Sequence, residues 1–129
     1  MSAYDRADST EIDPDRLRLL DRSSTLVSLG LLAAMVVASA LAYATLPSTV
    51  TVHWQIGIDG SLSTRTVGRT IGVTIMPVIA ATTWTALEAI GRWLGSRDEL
   101  VGVVCSVLAA ATVTIVALAH VLVLGLNLL

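Results

Sequence analysis

The stretch Ser24–Thr45, STLVSLGLLAAMVVASALAYAT, carries no charged side chain, and its reading decides the class of fold. A hydrocarbon core about 30 Å thick is crossed by about 20 helical residues, so this run is long enough to span it. Tyr43 stands near one end, where an amphipathic ring suits the membrane interface, and Pro47 closes the helix. Outward from this segment, two further apolar stretches follow, about Ile71 to Trp93 and about Leu100 to Leu126. A short polar turn with Gly95, Ser96, Arg97, Asp98 and Glu99 joins them, and so short a link requires antiparallel neighbours. Lipid offers a backbone no hydrogen bonds, and helices satisfy theirs internally. The predicted fold is therefore all-α integral membrane: three transmembrane helices, with a short extended or hairpin-like outer loop, residues 46–70, between the first and second.

Composition agrees. Of 129 residues, 54% are hydrophobic and 14% charged, whereas soluble domains carry about 25% charged residues. The formal net charge of -2 leaves no basic footprint for nucleic acid. Cys105, alone in the chain, reads as a small buried hydrophobe. Residues 1–23 form a polar tail whose early part is expected to be disordered. No secretory signal peptide is expected, because the first apolar run is of full spanning length without a clear cleavage site. Asp13-Pro14-Asp15 reads as a helix start, and the helix carrying Leu17, Leu19 and Leu20 either rests on the membrane surface or leads into the first span.

The arginines set the orientation. Arg6, Arg16, Arg18 and Arg22 of the tail share a side with Arg92 and Arg97, while Arg65 and Arg69 lie on the other. The positive-inside rule places the amino terminus and the 95–99 turn in the cytoplasm and the carboxyl terminus outside, in a multi-pass protein of the cell membrane. Gly30, Ala34, Ala38 and Ala42 on the first helix, and Gly102, Ser106, Ala110 and Thr114 on the third, recur every fourth residue. Such stripes let helices pack closely, either within the chain or in a homo-oligomer.

From Thr49 to Ile56 the chain alternates. Val50, Val52, Trp54 and Ile56 are expected on one face, and Thr49, Thr51, His53 and Gln55 on the other. Gly57-Ile58-Asp59-Gly60 is a turn signal, and Ser61 to Thr66 suits a returning strand. An isolated hairpin is marginal in water, so it needs the support of the helix ends or of the membrane surface, with Trp54 at headgroup level.

Leu46-Pro47, Val50, Val52-His53-Trp54-Gln55, Gly57, Asp59-Gly60 and Arg65, followed by Met76-Pro77, resemble the small membrane domain of unknown function at the amino-terminal end of SdpI-type (SdpI/YhfL-like) immunity proteins. The resemblance covers about Leu26 to Ile90. The family's usual second proline before the histidine is Thr51 here, and its amide or acid after the aromatic is Gln55. The stretch from Gln55 to Asp59 is shorter, and one helix follows in place of the family's longer carboxyl-terminal part. The resemblance implies a module that binds a partner or toxin through the outer loop, in an immunity or signalling role.

The partner-binding candidates are His53, Trp54, Gln55, Asp59 and Arg65. One histidine and one carboxylate are too few for a zinc site, and a structural role is favoured for His53, hydrogen-bonding the turn backbone and fixing the loop against the membrane. His120, late in the third helix, falls on the same side as His53, and a local hydrogen bond is favoured over a shared site. Glu88 is the carboxylate within a span, and Arg92 one turn on is its expected partner. Pro77 can kink or hinge the second helix, with Thr74 meeting freed backbone groups. No catalytic triad, paired active-site carboxylates, phosphate loop or Cys/His cluster is present in the sequence. The expectation is a non-catalytic protein of the lipid bilayer, without metal or cofactor. The alternatives are a small oligomeric transport subunit that uses Glu88, or a structural subunit of a membrane complex.

Overall fold

In the computed structural model, which describes residues 12–129, the elements run α1 (Pro14–Tyr43), β1 (Thr49–Ile56), β2 (Leu62–Gly68), α2 (Arg69–Gly95) and α3 (Glu99–Leu128). Each helix is long and apolar enough to cross a bilayer, and the two strands pair as an antiparallel hairpin. The protein is a multi-pass three-helix bundle with the hairpin at one end and the α2–α3 turn at the other. The expectation for Met1–Glu11 lies outside the described residues.

Local chemistry explains where the helices begin. The Asp13 carboxylate accepts from the Asp15 amide at 3.1 Å, and Pro14 stands at the first helical position, where a missing N–H costs nothing. From there α1 continues without a break through the first span, so the segment around Leu17 leads into that span and forms no separate surface helix. The helix thus starts where Asp13-Pro14 reads as a helix start. Asp98 caps α3 in the same way, accepting from the Leu100 amide at 3.0 Å.

The third helix is the centre of the bundle. Its buried residues Val103, Ser106, Ala109, Val113, Ala117, His120 and Val123 recur at helical spacing. Near the 95–99 turn, α2 and α3 approach almost backbone to backbone. A Cβ added to Gly91 would stand 2.8 Å from Cys105 Cβ, and one added to Gly95 would stand 3.1 Å from Gly102 Cα. In lipid such contact replaces the hydrophobic drive between helices. The predicted stripe on α3 is therefore used at Gly102, which meets Gly91 and Gly95 of α2, and at Ser106, which bonds to Asp21 of α1. On α1 it is only half used: Ala42 is buried and Ala38 packs nearby, but Ala34 is exposed and Gly30 has no neighbour for a Cβ within 4 Å. Helix α1 leans chiefly on α3 and touches α2 sparingly.

The hairpin is supported by the helix ends. Val50 is fully buried in a cluster with Ala42, Leu46, Val73, Val123 and Leu124. Gly72 makes this possible, since a Cβ there would stand 2.8 Å from Val50 Cβ. The expected single apolar row along β1 is not formed. Thr51 lies opposite Thr66, but His53 lies opposite Arg65, so β1 carries one extra residue at a bulge. Paired residues share a face, and β2 alternates regularly. Val50 and Val67 therefore share their face with His53, Gln55, Ser63 and Arg65, while Trp54, Ile56, Leu62 and Thr64 lie on the opposite one.

Candidate functional site

At the hairpin end, side chains from three helices fasten one edge of the loop. The Asn127 amide donates to the Thr51 carbonyl at 2.8 Å, and its oxygen accepts from the Thr51 amide at 2.8 Å. A carboxamide has one donor group and one acceptor in the geometry of a peptide, so Asn127 continues the ladder beside β1, where no third strand stands among the described residues. The Arg69 guanidinium donates to the Leu46 carbonyl at 3.2 Å and lies 4.5 Å from the centre of the Tyr43 ring. Tyr43 in turn reaches Thr70, hydroxyl to hydroxyl, at 3.1 Å.

Beyond these fastenings the hairpin projects freely. His53, Trp54, Gln55 and Arg65 are all exposed, with His53 and Arg65 side by side across the strands. Asp59 is different in role. Its Oδ1 accepts from the Ser61 hydroxyl at 2.6 Å and the Ser61 amide at 3.1 Å, and these donors hold its carboxyl below the ordinary aspartate range. Gly60, at a φ of 79°, completes the turn in the left-handed region. Asp59 shapes the loop tip, and no hydrogen bond joins it to His53 among the described residues.

Just beneath the hairpin end, one or two turns into the bundle, the three helices meet at one polar chain. Pro77 has no N–H, which leaves the Val73 carbonyl of α2 without its helical donor. The Ser39 hydroxyl of α1 donates to that carbonyl at 2.9 Å. Its single proton is thereby used, so the 2.8 Å contact with His120 Nε2 of α3 requires Nε2 to carry the hydrogen and donate to Ser39 Oγ. Nδ1 of the same ring is buried without a partner among the described residues. His120 is wholly buried and His53 exposed. The partner of His120 is thus a serine on another helix, where a local bond was expected. Thr74, expected to answer the proline, bonds instead to the Thr70 carbonyl at 2.7 Å.

At the arginine-bearing end a cleft of about 650 Å³ opens between α1 and the α2–α3 pair. Trp84 and Glu88 line it, one turn apart on α2. Trp84 Nε1 and Glu88 Oε1 are buried there with no hydrogen-bond partner among the described residues. The expected pairing of Glu88 with Arg92 is therefore not made through Oε1. Arg92 is exposed at the rim, where a long side chain finds water. The nearby carboxylate of Asp21 is engaged, accepting from the Ser106 hydroxyl at 2.7 Å.

Sequence reasoning passed over Asn127, Ser39, Arg69 as a fastening residue, and Trp84. Asn127 had a visible signal, as an amide isolated in an apolar helix. The carbonyl orphaned by Pro77 can be counted four residues back, but nothing local indicates that the donor comes from α1.

Together these features define a class: a small multi-pass membrane module with a fastened extramembrane hairpin and a polar cleft at the opposite end. The chain matches no protein-family model, no curated protein and no solved structure.

Proposed function

We propose that the protein is a non-catalytic membrane module that binds a protein partner or toxin through its outer hairpin, in an immunity or signalling role of the kind the SdpI resemblance implies. The observation that supports it is the contrast between the two halves of the hairpin. Its base is held by Val50 in the helix-end cluster and by both hydrogen bonds of Asn127. Its distal half leaves Trp54 37%, Leu62 65% and Ile56 76% exposed, all on one face. A pre-ordered platform loses little conformational entropy on binding, and tryptophan and arginine are the side chains that most often dominate interfaces.

In this reading Trp54 makes its contacts from the apolar face and His53, Gln55 and Arg65 from the opposite one, while Asp59 sets the shape of the tip. The arginine distribution supports a hairpin outside the cell and an amino terminus in the cytoplasm. A photo-crosslinking residue at Ile58, at the tip, gives an adduct of discrete mass in the native membrane, and Trp54→Ala or Arg65→Ala abolishes it. If deletion of residues 53–65 leaves toxin sensitivity, envelope integrity and all crosslinked neighbours unchanged, the proposal fails.

The cleft favours a second reading, a small transport subunit acting through Glu88. The open Gly30–Ala34 face of α1 would then receive a second copy of the chain. Proton or ion flux in liposomes that survives Glu88→Gln excludes it.

A further inference from the structure

The cleft at the arginine-bearing end is independent of the hairpin and arises from helix packing. Gly91, Gly95 and Gly102 draw α2 onto α3, while α1 follows α3 and leaves a wedge on its α2 side. The charges around it are Arg18 and Arg22 of α1 and Arg92 of α2, against Asp21 of α1, Glu88 of α2 and Glu99 of α3. Three positive groups face three negative ones, so the site as a whole repels neither sign.

Most of these groups have their needs met. Arg18, Arg22, Arg92 and Glu99 are exposed, and Asp21 is bonded to Ser106. Glu88 and Trp84 are the exceptions, each with a buried polar atom lacking a partner. A carboxylate among membrane helices is costly unless it is paired, and the low dielectric makes the missing partner more costly still.

The two atoms ask for complementary things. Glu88 Oε1 needs a donor, best a cationic one; Trp84 Nε1 needs an acceptor. The wall beside them is aliphatic, with Leu26 and Leu29 from α1 and Val103 from α3. An ammonium next to an oxygen on an alkyl stem meets all three requirements. The cation answers the carboxylate, with the indole beside it. The oxygen takes the indole N–H, and the stem lies along the leucines. A sulfate or phosphate head would face an unpaired carboxylate, and a simple alcohol would leave its charge uncompensated.

We infer that the cleft is a binding site for an amphiphilic amino alcohol, held with its ammonium at Glu88, its oxygen at Trp84 Nε1 and its alkyl chain between α1 and α2.

The test is calorimetric titration of the full chain in maltoside micelles with 2-aminododecan-1-ol, dodecyltrimethylammonium, dodecanol and dodecyl sulfate. The amino alcohol should bind saturably at one site per chain, with the trimethylammonium weaker and the other two not competing. Glu88→Gln should weaken the amino alcohol at least about tenfold, the usual scale for losing one charge-assisted hydrogen bond. Glu88→Asp should recover part of that loss, which a merely misfolded variant would not. Trp84→Phe should weaken the amino alcohol more than the trimethylammonium. Leu26→Trp, which fills the cleft and leaves both polar groups intact, should block binding. Equal affinity in wild type and Glu88→Gln, or dodecanol or dodecyl sulfate bound as tightly as the amino alcohol, would overturn the inference and leave a hydrated carboxyl only.

Discussion

Ser39 does for α2 what α2 cannot do for itself. The carbonyl of Val73 loses its donor to Pro77, and the serine restores it from a neighbouring helix while accepting from His120. Ser39→Ala leaves two buried polar groups without partners and should destabilise the bundle by about 1–3 kcal/mol. Pro77→Ala returns an N–H to Val73, so the same serine substitution should cost less in that background. A double-mutant cycle followed by thermal unfolding in micelles reads the coupling directly. Asp59 yields a prediction of a different kind. Its folded carboxyl titrates below the ordinary aspartate range because Ser61 donates to the charged form. The turn therefore holds its full stability above the ordinary aspartate value and loses it as pH falls through the depressed one. Protection factors of the Gly60 and Ser61 amides, corrected for intrinsic exchange, should fall in that acidic window and stay flat with pH in Asp59→Asn.

Among the elements, the hairpin depends most on what lies beneath it. Gly72→Ala would set a methyl 2.8 Å from Val50 Cβ. Neither backbone yields easily there, so the hairpin base should lift and the protein lose about 1–3 kcal/mol, as overpacked cores do. Asn127→Ala removes both side-chain bonds to the Thr51 backbone and should cost about 1–2 kcal/mol. Asn127→Asp should not rescue it, because a carboxylate accepts from the Thr51 amide but cannot donate to the Thr51 carbonyl. Protection of the Thr51 amide from hydrogen exchange separates Asn127→Ala from the other two, and thermal unfolding in micelles separates Asn127→Asp from the wild type. The bulge after Thr51 has a further consequence for the element. It turns Trp54 and Ile56 away from the face of Val50, and so leaves an apolar distal surface in place of a continuous buried row.

At the scale of the whole molecule, the bundle is asymmetric: α2 and α3 form a tight pair through glycines, and α1 lies against α3. Gly91→Leu should part the α2–α3 pair near the turn, lower the unfolding temperature and change the shape of the cleft, with far less effect on the hairpin at the opposite end. Orientation is also tested here. In a Cys105→Ala background, cysteine at Ile58 should react with an impermeant thiol reagent on intact cells, and cysteine at Arg97 only after permeabilisation. The reverse pattern would invert the proposed topology.

The apolar lengths, the short 95–99 link and the Asp13–Pro14 helix start were enough to establish three helices and the antiparallel pairing of the last two, because these are local or nearly local properties of a chain in lipid. The turn at Gly57–Gly60 was legible for the same reason. The face on which Trp54 lies, the donor that answers Val73, the amide that holds Thr51 and the unpaired state of Glu88 Oε1 were decided only by the tertiary structure. Each depends on a partner distant in sequence or on a one-residue shift in register. Periodicity shows that a polar group will be buried, but only the packed helices determine which other group meets it.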